Sequence, residues 1–189
     1  YIAMDVLVHV LCSDPGSPVK QALVDAGIGD EVYSYSETGI AQPYFSITAK
    51  NASSAQQEQF VSIIEEELQK IVKHGIDRKA LLATLNEFEF RYREADFGGY
   101  PKGLMYGLQI FDSWLYDDNA AFLLLETQDA MDELYKKAEG SYFEQLIKEC
   151  LIDNSFGVVA MAVPKVGLDA ENEEKTAEKL RVYKDSLSK

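Results

Sequence analysis

The chain has 189 residues, of which 47% are hydrophobic, and its 32 acidic and 18 basic side chains give a formal net charge of −14. This length fits one domain with its own core, and the hydrophobic share excludes an intrinsically disordered chain. We expect no nucleic-acid partner, because no basic stripe offsets the negative charge, and no membrane partner, because no apolar run approaches the ~18–20 residues of a membrane span.

The first thirty residues predict two helices. Ile2–Leu11 is apolar with Asp5 and His9 interleaved four residues apart, a pattern that fits the end of a mostly buried helix better than a strand. A serine and a proline then open a short helix over Pro18–Ala26, and Gly27 is its expected C-terminal cap.

The next segment predicts two strands and a long helix. Residues 31–49 are rich in aromatic and β-branched side chains on either side of a Thr-Gly pair, which indicates two antiparallel strands. Ser54 and Gln57 resemble a capping box for a helix that runs to His74 and ends at Gly75. The apolar stripe of that helix comprises Phe60, Ile64, Leu68 and Ile71.

The stretch Asp77–Leu108 predicts two core helices joined by a glycine break. The first helix has one apolar face at helical spacing, formed by Leu81, Leu85, Phe88 and Tyr92. Its exposed faces hold two acid-then-base pairs four residues apart, Glu87 with Arg91 and Glu89 with Arg93. Gly98 and Gly99 are expected to stop this helix, and Pro101 to open the next one.

The remainder of the chain predicts more helices and one buried strand. The helix from Pro101 continues through an apolar stripe that comprises Met105, Leu108, Phe111 and Trp114 or Leu115. Two helices follow, at about Gln128–Ala138 and Tyr142–Ile152, and the apolar run Phe156–Val163 predicts a central strand buried on both faces. The charged tail Asp169–Leu187 predicts a helix on or leaving the surface, so the fold class is α/β or α+β, with a mostly antiparallel sheet against several helices.

No catalytic constellation is visible among the histidines and acids. His9 and His74 lie in neither an HExxH nor an HxxEH pattern, so we predict a partly buried packing residue and a helix-terminal residue, respectively. The carboxylate candidates are Glu65–Glu67 and the trio Glu87, Glu89 and Glu94. Successive helical positions splay around the axis, which favours a solvated face over acid–base or metal chemistry.

Nucleophiles and phosphate loops give no stronger signal. Cys12 and Cys150 have no local activating pattern, and we predict buried thiols in a reducing compartment, either the cytoplasm or an organelle matrix. Gly98–Gly103 lacks the GxxxxGK[ST] order, so it is interpreted as a bend. The sequence opens at Tyr1 without an initiator Met or a signal-type segment, and we expect it to be cut from a longer chain.

Several segments in order resemble the presequence-protease branch of the pitrilysin/insulinase-type zinc metallopeptidases. The matching text is LVHVLCSDPGSPVKQALVDAGIGD, PYFSITAKN, LQKIVKHGIDRKALLATLNEFEFRYREADFGGYPKGLMYG, FDSWLYDDN, YFEQLIKECLIDN and VPK. The pattern EFxxREAxxGxxPKGL is the most specific, and together the segments span nearly the whole chain.

The resemblance implies the second, inactive domain of the N-terminal half of such an enzyme. Residues 1–167 would form a partial peptidase-like domain that lacks its opening strands, and 168–189 would begin a charged helical linker. Zinc and its HxxEH motif belong to another domain of the parent, so the resemblance implies no catalytic, cofactor-binding or metal residue in this chain. Its partners would be the other domains of the same polypeptide and unfolded peptide substrates, enclosed in a chamber whose wall this domain helps to form.

Two alternatives stay open at this stage. The fold could serve as a stand-alone interaction or dimerisation module, or the chain could be an enzyme that uses Cys12 or Cys150. The second alternative requires a thiol with a low pKa.

Overall fold

The computed structural model describes residues 1–95 and 97–187, which form two compact units, Tyr1–Gly157 and Val158–Lys189. Asp96 of the predicted helical hairpin and the last two residues of the predicted linker lie outside the described residues. The helices are α1 Ile2–Val8, α2 Pro18–Asp25, α3 Gln57–His74, α4 Arg78–Glu94, α5 Lys102–Trp114, α6 Gln128–Ala138, α7 Tyr142–Ile147 and α8 Leu168–Ser186. The strands are β1 Glu31–Glu37 and β2 Tyr44–Lys50, and π-helical turns over His9–Ser13 and Lys148–Ile152 extend α1 and α7.

The predicted mixed α/β class with an antiparallel sheet is confirmed. Strands β1 and β2 pair antiparallel, from Glu31 opposite Lys50 to Glu37 opposite Tyr44. Val32 points into the core, whereas its neighbour Tyr33 is exposed, which is the alternation expected of a sheet covered on one face.

The core of the first unit is built from α1, α2, α3, α4, α6 and α7 with the inner face of β1. Its largest fully buried side chains include Leu7, Leu11, Leu23, Leu81, Leu85, Met131, Phe143 and Ile147. The predicted inner face of α3 contributes to this core, because Leu68 and Ile71 are buried and Phe60 and Ile64 pack against the cluster. The predicted inner face of α4 contributes through its buried Leu81, Leu85 and Phe88.

Two predicted caps are displaced along the chain. The capping box lies one residue earlier than expected, with Ser53 and Gln56 as its members, because a 3₁₀ turn over Ser54–Gln56 precedes α3. Helix α4 ends at Glu94, and its C-cap residue Ala95 takes the left-handed conformation with φ 47°. The helix therefore stops before the predicted glycine pair, Gly98 and Gly99.

The predicted core face of α5 is wrong. The helix forms over Lys102–Trp114, but none of its residues is buried. Periodicity identifies an amphipathic helix, whereas burial also requires a second apolar surface, and within residues 1–95 and 97–187 none covers this stripe.

The predicted central strand at Phe156–Val163 is also wrong. These residues form no strand, and Phe156 and Val158 are more than 90% exposed. A buried strand needs neighbouring strands on its edges, and the sheet of the described residues contains only β1 and β2.

The second unit consists of the segment from Val158 and helix α8. Gly167 adopts φ 82° immediately before α8, and none of the residues of α8 is buried. The prediction of a charged surface helix over Asp169–Leu187 is therefore confirmed, while the domain boundary at residue 167 stays a prediction.

Candidate functional site

His9 lies at the junction of α1 and α4 and contacts two carboxylates that are distant from it in sequence. Its Nε2 atom is 3.5 Å from Asp14 Oδ1 and 3.5 Å from Glu87 Oε2. The imidazole packs edge-on against Phe88, with ring centroids 5.7 Å apart. Its side chain is 18% exposed, so the prediction of a partly buried packing residue is confirmed.

Of the predicted candidates, Glu87 contacts His9, whereas His74 and Glu65–Glu67 lie on α3. His74 is the exposed last residue of α3, where a cation interacts favourably with the helix dipole. Glu65 and Glu66 are exposed on α3, as expected for a solvated face, and Glu67 pairs with Lys70 at 2.5 Å.

Both predicted acid–base pairs of α4 are present. Arg91 contacts Glu87 at 2.6 Å and Arg93 contacts Glu89 at 2.5 Å. Glu89 also accepts a hydrogen bond from the Tyr135 hydroxyl at 2.9 Å, which ties α4 to α6. These carboxylates are occupied by surface pairing, and sequence spacing was sufficient to predict the two helical pairs.

Cys12 lacks the low thiol pKa that a catalytic cysteine needs. Cys12 is fully buried, and burial raises the pKa of its thiol to about 12, with Lys20 acting in the opposite direction. At neutral pH this thiol is almost entirely protonated, and only the thiolate attacks an electrophile. Both cysteines are free; Cys12 is buried as predicted, whereas Cys150 is only half-buried, so the prediction of a buried thiol is wrong for Cys150.

The bend between α4 and α5 is a structural connection. Lys102 donates from Nζ to the carbonyl oxygen of Glu94 at 2.9 Å, which satisfies a carbonyl group near the end of α4. The lysine of the superficially phosphate-loop-like stretch is thus engaged by the protein backbone.

A cavity of about 500 Å³ lies between the turn before α2 and the α3–α4 junction. Its apolar floor includes Val10, Ile71 and Ile76, and its rim carries the carboxylates Asp14 and Glu87. The sequence did not predict this cleft, because its two walls are about sixty residues apart and only tertiary packing brings them together.

A buried carboxylate ties the α3–α4 junction to the α6–α7 junction. Glu144 Oε1 accepts a hydrogen bond from the Ile76 amide at 3.0 Å and pairs with Arg78 at 3.2 Å. Arg78 also donates to the carbonyl oxygens of Ala138 and Gly140. The sequence did not predict the burial of Glu144, since a single glutamate on a short helix carries no signal of burial.

The resemblance implies zinc in another domain of the parent and no metal ligand in this chain. Within residues 1–95 and 97–187, no group of three or more His, Cys, Asp or Glu side chains is arranged to hold a metal ion. Within the same residues, no helix has both the length and the apolarity needed to span a bilayer.

Comparison with protein families identifies the first half of the chain. Residues 1–88, which comprise α1 to most of α4, match the model of the Peptidase M16 inactive domain. The matched segment contains both histidines and the cleft.

Full-length comparison finds similar proteins in bacteria, plants and fungi. The chain is 33% identical over 186 residues to Protein HypA of Clostridium perfringens, an alignment that covers 98% of this chain and 19% of the relative. It is 30% identical over 168 residues to Presequence protease 1, chloroplastic/mitochondrial, of Arabidopsis thaliana, covering 86% of this chain and 16% of the relative. It is 26% identical over 180 residues to Presequence protease, mitochondrial, of Aspergillus fumigatus, covering 91% of this chain and 16% of the relative. The chain thus spans less than a fifth of the length of these curated relatives.

Proposed function

Because the chain belongs to the M16 peptidase family, in its presequence-protease branch, we propose that it is a catalytically silent domain of a longer zinc metallopeptidase that degrades unfolded peptides. The observation that carries this proposal is the match of residues 1–88 to the inactive domain of that family. Zinc chemistry would then reside in another domain of the parent polypeptide.

The chain's own residues support catalytic silence. The two histidines are followed by Val-Leu-Cys-Ser and Gly-Ile-Asp-Arg, so neither begins an HxxEH motif. The nearest carboxylates to His9 belong to a turn and to a salt-bridged face of α4.

The proposed role is to form part of the wall of a substrate chamber. The net charge of −14 and the carboxylate rim of the cleft support a preference for basic peptides, because complementary charge raises the local concentration of the oppositely charged partner. The names of two relatives place them in mitochondria or chloroplasts, and an organelle matrix or the cytoplasm is the compartment proposed for this chain.

Two measurements test these parts of the proposal separately. The isolated chain is expected to retain no stoichiometric zinc after dialysis and to hydrolyse no unfolded peptide, and a tight one-to-one zinc complex would contradict silence. The parent polypeptide is expected to cleave a basic peptide faster than an acidic peptide of equal length. That preference should shrink between 0.1 M and 1 M salt, as the Debye length falls from about 10 Å to about 3 Å. Indifference to peptide charge and to salt would contradict an electrostatic role for the acidic wall.

A stand-alone interaction or dimerisation module is the second candidate function. The uncovered apolar stripe of α5 favours it, because exposed apolar patches mark interaction surfaces. Sedimentation velocity of the isolated chain tests the dimerisation form of this alternative, which requires a dimer at micromolar concentration.

A further inference from the structure

Helix α5 presents an apolar stripe that the first compact unit leaves uncovered. Leu104, Leu108, Phe111 and Leu115 follow one another at spacings of four, three and four residues, so they lie on one helical face. Their exposed fractions are 54%, 52%, 48% and 72%. We call these four residues the α5 face.

The sequence that carries the α5 face is acidic, and Lys102 at the start of the helix is engaged by the carbonyl oxygen of Glu94. Between Gly103 and Tyr135 the sequence has no Lys, Arg or His, whereas Asp112, Asp117 and Asp118 lie on α5 or directly after it. Burial raises the pKa of Asp112, and the neighbouring Glu37 raises it further.

The charge of the α5 face disfavours a second copy of this chain as its partner. A symmetric dimer brings the same patch of each subunit against the other, so the three aspartates of one copy would approach the three aspartates of its partner. Like charges at the rim of an interface oppose association and lower its rate. A partner that covers this face favourably carries an apolar centre and basic side chains at its rim.

We propose that the α5 face is the docking surface for another domain of the same polypeptide, which meets it with an apolar surface rimmed by Lys or Arg. This inference rests on the proposed function, in which the chain is one domain of a longer protein. The relatives support it, because 98% of this chain aligns with 19% of Protein HypA, so most of such a polypeptide lies outside this chain. Burial of the stripe would add the hydrophobic stabilisation that α5 lacks in this unit.

Thiol labelling at a single position tests the burial of the α5 face. Leu108→Cys is introduced into the isolated chain and into the parent polypeptide, and the maleimide reaction rate at that site is read by peptide mass spectrometry. Gln59→Cys, at an exposed position of α3, is the matched control for cysteine reactivity in the isolated chain. Both variants are expected to react at similar rates in the isolated chain, and Leu108→Cys should react at least tenfold more slowly in the parent. An equal rate for Leu108→Cys in the two contexts overturns the inference.

The charge of the partner is tested by salt and by a charge variant. In the parent, 1 M salt is expected to accelerate labelling of Leu108→Cys relative to 0.1 M, and Asp112→Asn with Asp118→Asn should reduce this salt response. Protection that rises with the concentration of the isolated chain assigns the face to a second copy and overturns the inference. Protection in the parent that requires added basic peptide assigns the face to substrate and also overturns it. Zinc content and peptide cleavage of the parent are measured independently, so a protected α5 face in a parent without zinc or activity contradicts the proposed function alone.

Discussion

At the scale of single residues, two glycines close the turn between α2 and β1 under different constraints. Gly27 has φ 65° and a Cβ at this position would have no heavy atom within 4 Å. Gly29 has φ 70°, and a Cβ there would lie 2.5 Å from the carbonyl oxygen of Lys50. That oxygen belongs to β2 and also accepts a hydrogen bond from the Asp30 amide at 2.9 Å, so the backbone just before β1 holds it in place.

We predict that Gly29→Ala destabilises the chain more than Gly27→Ala. Both variants force a side chain into the left-handed region, which costs about 1–2 kcal/mol. Gly29→Ala adds a collision with backbone that costs roughly 1–3 kcal/mol more, on the scale of an overpacked core. Urea unfolding of the two variants measures the difference, and equal losses of unfolding free energy would show that the approach to Lys50 is unimportant.

Asp5 links α1 to β1 at an energetic cost that depends on pH. Its carboxylate accepts a hydrogen bond from the Ser36 hydroxyl at 2.5 Å. Burial raises the pKa of Asp5, the Ser36 hydrogen bond lowers it, and Glu37 contributes in the raising direction. The folded state therefore holds this proton more tightly than the unfolded chain does. The protonated Asp5 carboxyl therefore contributes stability that is fully present at a pH below the unfolded-state pKa of about 3.9. This contribution is lost as the pH rises through the higher folded-state pKa.

Asp5→Asn is accordingly expected to raise the melting temperature at pH 7. The neutral amide keeps an oxygen that accepts from Ser36 and removes the buried charge, so the variant avoids the desolvation cost. The advantage should disappear near pH 3, where the wild-type carboxyl is protonated in both states. Glu66→Gln on the exposed face of α3 is the control, and an Asp5→Asn effect that is equal at both pH values would contradict the assignment.

At the scale of elements, local patterns predicted helices well and their surroundings poorly. The helix Gln128–Ala138 was predicted with its observed bounds, and the stripe of α4 is buried at Leu81, Leu85 and Phe88. These elements follow from periodicity and caps, which depend only on residues within a few turns of each other. The capping-box error of one residue reflects two adjacent serines that compete for the same role.

The predictions that failed concerned burial, because burial depends on a second packing surface as well as on the segment itself. Apolar periodicity in α5 and the apolar run at Phe156–Val163 report a capacity for burial, and the surface that would realise it is not encoded in either segment. The same holds for the candidate site. His9 was recognised as a packing residue, but its proximity to Asp14 and Glu87, and the burial of Glu144, depend on contacts between segments that are distant in sequence.

At the scale of the whole molecule, the two compact units differ in what stabilises them. Residues 1–157 enclose a hydrophobic core, whereas α8 buries none of its residues. Within the second unit, Glu171 pairs with Lys165 at 2.6 Å and with Lys175 at 2.7 Å, both at exposed positions. Exposed pairs of this kind contribute little, and most helical stability in proteins comes from packing of an apolar face, whereas α8 buries none of its residues.

We therefore predict that removal of residues 168–189 leaves the main unfolding transition unchanged. The melting temperature of the 1–167 chain should lie within about 2 °C of the full chain, because surface changes outside a core alter stability by less than about 0.5 kcal/mol. The far-ultraviolet circular dichroism at 222 nm should lose only the part contributed by α8, and the full chain should lose that part first on heating. A fall of more than about 5 °C on truncation would mean that the tail stabilises the core. The interpretation of 168–189 as the beginning of a linker would then be wrong, because a linker that stabilises the core belongs to the domain.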